Sequence, residues 1–215
     1  MTRTGMWRGG SQLGAIACGL GILLTCCLPA VVWSHNVELY GGPGYRFGGN
    51  LDTEEGEVDI SNTAALTTTL AIRARHDAFF EFTYSYQPAE LEVEDVTGPS
   101  LSVFDLGVHY IQFGGIIQWD YDAGSPFVGL TLGAAVFDPE PEGFSTETRF
   151  AGCFYGGGKK MLSSRIGLRG EARLWGTFFP DNGTLFCSLP GYCAISVSGD
   201  ALFQGEGTGG LFVTF

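Results

Sequence analysis

The residues of this chain that can do chemistry stand two apart. Between residues 165 and 178, Arg165, Arg169, Glu171 and Arg173 alternate with Ile166, Leu168, Ala172 and Leu174. Alternate residues of a β-strand share a face, so the charges belong on one side and the aliphatic groups on the other. Such a face supports ion pairing in a confined space, guanidinium against carboxylate. The same spacing elsewhere supplies partners: Glu38, Glu81, Asp105, Glu171 and Glu206 are the inward acids expected, against Arg46, Arg73, Arg169 and Arg173, with His109 beside Asp105. Burying these charges is costly unless each is paired and hydrogen-bonded, and the near balance of signs makes pairing feasible.

Other chemistries find less support. His35, His76 and His109 do not fall in a loop beside a plausible serine, so His-assisted acyl transfer is not expected, and His109 is read as part of a buried polar network. The chain is read as a non-enzyme. No CxxC, paired-histidine motif or four-ligand cluster occurs, so neither a metal nor a cofactor is expected. Cys187 and Cys193 lie in the last long connection and are expected to form a disulfide in an oxidising compartment, with two free thiols as the alternative. Such a short ring contributes roughly 2–3 kcal/mol by ordering the loop tip. Cys153 is read as a small apolar filler.

Eight period-2 segments position these groups, near 36–49, 60–74, 78–87, 101–119, 126–137, 148–161, 165–178 and 200–215. Four long connections alternate with three short ones, at 75–77, 120–125 and 162–164. An even strand count then puts both ends of the chain on the short-turn side, as in up-and-down membrane barrels. Charge follows the same division: the long connections carry fifteen acids and no Lys or Arg, so one rim is intensely negative.

Orientation follows from strand 165–178. A basic side chain facing lipid near the bilayer midplane costs about 2–4 kcal/mol, so the arginines must point inward. Phe80, Phe82, Tyr84 and Tyr86 against Glu81, Thr83 and Ser85 agree, as do Leu66, Leu70 and Ile72 against Thr67, Thr69 and Arg73. Strand 101–119 alternates less well, because Ile111 and Phe113 share the face of Asp105 and His109. An eight-stranded barrel is barely wide enough for its own side chains, so the inward charges are read as a salt-bridged plug. A soluble barrel with apolar interior and charged exterior is the alternative that this alternation opposes. Trp119, Tyr121, Trp175, Phe178 and Phe179, near strand ends, are read as interfacial girdles.

Residues 1–34 read as a signal peptide: Arg3 and Arg8 precede an apolar run from Leu13 to Trp33, with cleavage after Ser34 or, second, after Ala30. A retained helical span and a lipoprotein at Cys26 are weaker alternatives. Of the 215 residues this leaves 35–215 as one domain, with nine Lys and Arg against 23 Asp and Glu, a formal charge of −14. So acidic a surface argues against nucleic acid as a partner. No later apolar stretch reaches the length of a helical span, so a membrane crossing must use strands.

Three stretches resemble the small outer-membrane β-barrel superfamily of Gram-negative bacteria, which includes the OmpA transmembrane domain and the OmpW and opacity-protein families. They are Val37-Glu38-Leu39-Tyr40-Gly41-Gly42 with Tyr45-Arg46-Phe47-Gly48, the hairpin Gly156 to Arg173, and the closing Gly209-Gly210-Leu211-Phe212-Val213-Thr214-Phe215. The resemblance implies an all-β, eight-stranded antiparallel up-and-down transmembrane β-barrel in the cell outer membrane, amid lipid and lipopolysaccharide. It also implies that the barrel-assembly machinery reads Leu211, Val213 and Phe215. It says little of activity, because the superfamily includes anchors, adhesins, narrow channels and lipid-modifying enzymes. The expected role is structural or surface-interactive, through acidic loops that could meet a basic or cationic partner, in a monomer. A narrow channel for a small solute is the second reading and a lipid-A-modifying enzyme the third.

Overall fold

The computed structural model describes residues 36–215 apart from 54–55, 95–100, 141–144, 180–182, 189–191 and 198–200. The expected leader 1–34 and His35 lie outside the described residues, as do the loop acids Glu54, Glu55, Asp95, Glu142, Asp181 and Asp200.

Every regular element among the described residues is a strand. Along the chain these are β1 (Val37–Phe47), β2 (Asn50–Thr53), β3 (Gly56–Ile60), β4 (Thr63–Arg75), β5 (Ala78–Glu94), β6 (Leu101–Gln118), β7 (Ser125–Pro139), β8 (Glu147–Met161), β9 (Ile166–Phe178), β10 (Gly183–Ser188), β11 (Tyr192–Val197) and β12 (Ala201–Thr214). Eight of them close into a barrel in the order β1, β4, β5, β6, β7, β8, β9, β12, every neighbouring pair antiparallel. Closure joins the first strand to the last, from Glu38 opposite Thr214 to Phe47 opposite Gly205. No sheet edge is left within the wall, as a bilayer requires.

The turns at one end are short and locally stabilised. His76 and Asp77 link β4 to β5. Between β6 and β7, Tyr121 and Gly124 exchange backbone hydrogen bonds, with Gly124 at φ 146°, where a side chain would be strained. Between β8 and β9, the Ser163 hydroxyl accepts a bond from the Ile166 amide at 3.2 Å.

At the other end the barrel wall continues past the expected strand boundaries. Residues 88–94, expected in a loop, extend β5 and pair with β6 as far as Val93 opposite Leu101. Two connections contain hairpins of their own, β2–β3 and β10–β11, and β3 pairs with the extended end of β5. The physical cause is visible in Leu91-Glu92-Val93-Glu94, whose period-2 alternation continues through the acidic stretch.

The polarity of the wall is inverted relative to a soluble barrel. Facing outward are Leu66, Leu70, Phe80, Phe82, Phe113, Leu130, Phe154, Leu168 and Leu174, each 39–60 % exposed. Facing inward, and buried, are Thr67, Thr69, Glu81, Thr83, Ser85, Gln112, Thr131, Arg169, Arg173 and Glu206. A soluble monomer does not expose a continuous apolar girdle of this size. The fold is a transmembrane β-barrel.

Candidate functional site: the charged lumen

Because side chains alternate along β1, β5, β8, β9 and β12, the polar residues of one parity converge on the barrel axis. Four acids, Glu38, Glu81, Glu171 and Glu206, meet four bases, Arg46, Lys159, Arg169 and Arg173, all buried. They form three groups.

Toward the long-loop end, Arg46 donates to Glu206 from Nε at 2.9 Å and from Nη2 at 2.5 Å. Its Nη2 also donates to the Ser85 hydroxyl at 2.6 Å and its Nη1 to Gln87 Oε1 at 3.3 Å. Glu206 accepts further bonds from Trp175 Nε1 at 2.8 Å and Thr67 Oγ1 at 3.0 Å. The guanidinium carbon of Arg46 lies 4.8 Å from the ring centres of both Tyr110 and Trp175. In the central group, Arg169 bridges two carboxylates, donating to Glu81 Oε1 at 2.7 Å and to Glu171 Oε2 at 2.8 Å. Arg173 Nε donates to Glu171 Oε1 at 2.8 Å, and the Tyr155 hydroxyl donates to Glu81. Toward the short turns, Lys159 Nζ meets Glu38 Oε2 at 2.5 Å, with the Phe79 ring centre 4.7 Å away. Below this pair the lumen opens as a vestibule of about 490 Å³, lined in part by Arg73, Gln118, Asp120, Ser125 and Thr214.

Each buried base thus has a carboxylate within 2.7 Å. Pairing is what makes their burial tolerable, since removing one partner of such a pair typically costs about 3–5 kcal/mol. Outside the wall, Asp120 is held below the usual carboxylate range by hydrogen bonds from the Ser125 hydroxyl and the Gln118 amide.

Of the ten lumen residues expected from sequence, Glu38, Arg46, Glu81, Arg169, Glu171, Arg173 and Glu206 come together in this core. Arg73 stands at the vestibule, its guanidinium 4.6 Å from the Phe79 ring centre and donating to the His76 carbonyl at 3.0 Å. Asp105 and His109 do not join the lumen. In β6 the inward positions are Leu106, Val108, Tyr110 and Gln112, so Asp105 and His109 face outward with Ile111 and Phe113. The large apolar groups fix the register of that strand, and the two polar ones follow. His109 Nδ1 lies 2.9 Å from the Tyr84 hydroxyl and its ring centre 4.9 Å from that of Tyr86, which gives the imidazole a polar partner on the outer face.

Two aromatic assignments also change. Trp175 and Phe179, expected in interfacial girdles, are buried, whereas Trp119, Tyr121 and Phe178 are exposed. Trp175 shares the parity of Arg173 and Thr177, which places it inside. Lys159 is a lumen base that is absent from the set expected from sequence. Cys153, Tyr155 and Lys159 keep one parity, but Gly156-Gly157-Gly158 hides it.

Cys153 is a buried free thiol. Cys187 and Cys193 are direct cross-strand partners in the β10–β11 backbone register. At the end of the chain, Leu211 and Phe215 are 54 % and 62 % exposed on the outer face, with Val213 between them partly covered.

No protein-family model matches the chain, and no curated protein matches it by sequence. Solved structures do match. Neisserial surface protein A is 14 % identical with a TM-score of 0.59, covering 85 % of this chain and 98 % of that one. Outer membrane protein AlkL, solved in lipid bilayers, is 16 % identical with a TM-score of 0.59, covering 87 % and 94 %. OprG from Pseudomonas aeruginosa is 11 % identical with a TM-score of 0.56, covering 84 % and 95 %. At these identities the likeness concerns the fold, and it agrees with the closure, polarity and strand count found above. The chain has the fold of the small eight-stranded outer-membrane β-barrels.

Proposed function

We propose that this protein is a monomeric, integral outer-membrane barrel of a Gram-negative bacterium, without catalytic activity, whose role is structural or surface-interactive and is carried by its acidic extracellular loops. The observation that carries this reading is the lumen: four acids and four bases, buried and mutually paired, occupy an interior only wide enough for side chains. An interior used up by its own ion pairs leaves the loop rim as the working surface. There the backbone register sets Asp52 opposite Glu57, and Glu57 opposite Glu94. Like charges directly opposite are destabilising, so a basic or divalent partner at that rim would be favoured by simple electrostatics. Lipopolysaccharide, whose phosphates gather divalent cations, is the neighbour such a rim would meet.

The outward placement of Leu211 and Phe215 on β12 supports their reading as the signal taken by the barrel-assembly machinery. The cross-strand register of Cys187 and Cys193 supports a disulfide that stiffens the β10–β11 hairpin.

Planar-bilayer recording on the purified protein tests the reading against a small-solute channel. Absence of steady single-channel steps is expected, and steady steps would overturn the plug. Mass spectrometry of lipid A from cells expressing the protein separates the remaining enzymatic reading: an unchanged profile is expected, and a new acylation or deacylation product would contradict it.

A further inference from the structure

Among the described residues, the outer wall has a recess at β6. Gly115 on β6 is the cross-strand partner of Phe80 on β5 and of Leu130 on β7. Where its neighbours present large apolar groups, it presents none, and a groove of about 610 Å³ results. Phe80, Phe113, Leu130 and Phe154 wall this groove, and Ala78 narrows it little toward the short turns. At that end it reaches Arg75, which is exposed. Unlike Arg73 and Arg165, Arg75 makes no side-chain hydrogen bond or ion pair among the described residues.

An apolar slot ending on a single uncommitted cation, at the boundary of a membrane-spanning wall, is complementary to an amphiphile with an anionic head. The charge distribution on the outer face says which leaflet supplies it. Exposed Lys160 and Arg165 stand at the same short-turn end, whereas the outward acids Glu90, Asp105 and Asp138 stand at the long-loop end. A guanidinium takes a phosphate through charge-assisted hydrogen bonds, about twice as strong as neutral ones.

We propose that this groove holds one acyl chain of a glycerophospholipid from the periplasmic leaflet, with the lipid phosphate on the Arg75 guanidinium. The inference rests on the outer-membrane placement proposed above and is independent of the loops and of the lumen. It assigns a lipid site to an outer face running from β4 to β8 that takes no part in the charged core.

Native mass spectrometry of the full barrel, released from detergent micelles with dipalmitoyl phosphatidylglycerol added, tests it. Heat-modifiable gel migration first establishes that each variant is folded. The unsubstituted barrel is expected to retain one phosphatidylglycerol. Retention should fall about tenfold in Arg75→Gln, which removes a charged hydrogen bond, and in Ala78→Trp, which fills the slot. Lys160→Gln, outside the groove, should retain lipid as the unsubstituted barrel does. Should Ala78→Trp not fold, Arg75→Gln and a comparison with dipalmitoyl glycerol, which lacks the phosphate, decide the matter. Equal retention by Arg75→Gln, or equal retention of the phosphate-free lipid, would overturn the proposal. So would a dimer that Ala78→Trp dissolves, because the face would then bind a second copy. A native chain without a heat-modifiable band would count against the barrel itself, which keeps the two failures distinct.

Discussion

Arg46 and Glu206 are direct cross-strand partners on β1 and β12, and their side chains meet at 2.5 Å with both wholly shielded from solvent. The pair therefore spans the seam that closes the barrel, joining residues 160 apart in sequence. Seam and plug share one interaction. Glu206→Ala should destabilise the barrel by about 3–5 kcal/mol, because it leaves the Arg46 guanidinium buried without its carboxylate. The double substitution Arg46→Met with Glu206→Leu should cost less than Glu206→Ala alone. Urea unfolding in lipid vesicles measures both, and a single-substitution loss below about 1 kcal/mol, typical of an exposed pair, would contradict the account.

The same seam depends on glycine. A Cβ on Gly42 would stand 2.5 Å from the Gly209 carbonyl oxygen, and one on Gly210 would stand 2.2 Å from that of Gly41. Neither neighbour is a side chain that can swing away. Gly42→Val is therefore expected to abolish the heat-modifiable folded band. Gly170, with nothing within 4 Å of its Cβ position, should accept alanine with a stability change within about 0.5 kcal/mol.

Asp120 gives the β6–β7 turn a pH dependence of known sign. Its folded pKa is depressed, first by the Ser125 hydroxyl and then by the Gln118 amide. The stabilisation is therefore present above the unfolded carboxylate value near 3.8 and is lost as pH falls through the lower folded value. Amide hydrogen exchange at residues 118–125 should accelerate, beyond its intrinsic pH trend, on acidification below about pH 4. Asp120→Asn should remove that step, and an unchanged step in the variant would assign it elsewhere.

Thiol counting tests the β10–β11 hairpin. Beyond residue 34 the chain has three cysteines, of which Cys153 is buried and free. Protein purified from the membrane without reductant should take up one alkylating group on denaturation and three after reduction. Three before reduction would mean that Cys187 and Cys193, though opposed in register, are not bonded.

How much of this was legible in the sequence varies by strand. In β9 the alternation of Arg169, Glu171 and Arg173 with Leu168, Ala172 and Leu174 has one solution in a bilayer, and the inward face follows directly. In β6 two periodicities compete. Ile111 and Phe113 lie on the same face as Asp105 and His109, and transfer of the apolar pair to lipid outweighs the polar pair's preference for the lumen. The choice of ion-pair partners was not legible at all, because it depends on register and shear around the whole ring. Lys159 finds Glu38 from 121 residues away. The β2–β3 hairpin was missed because a high density of acid and glycine reads as loop when strands are expected to carry an apolar face, and β10–β11, which carries no acid, because its two six-residue runs are short and broken by Leu189-Pro190-Gly191. Above a membrane wall, a strand can be polar on both faces.

The account stands on which side of the wall meets hydrocarbon, and β9 decides it. A membrane-soluble carbene probe, photolysed with the barrel in lipid vesicles and mapped by peptide mass spectrometry, should mark Leu168 and Leu174. It should spare Arg169 and Arg173, which are 2 % and 3 % exposed. Marking of the two arginines with the two leucines left unlabelled would contradict it.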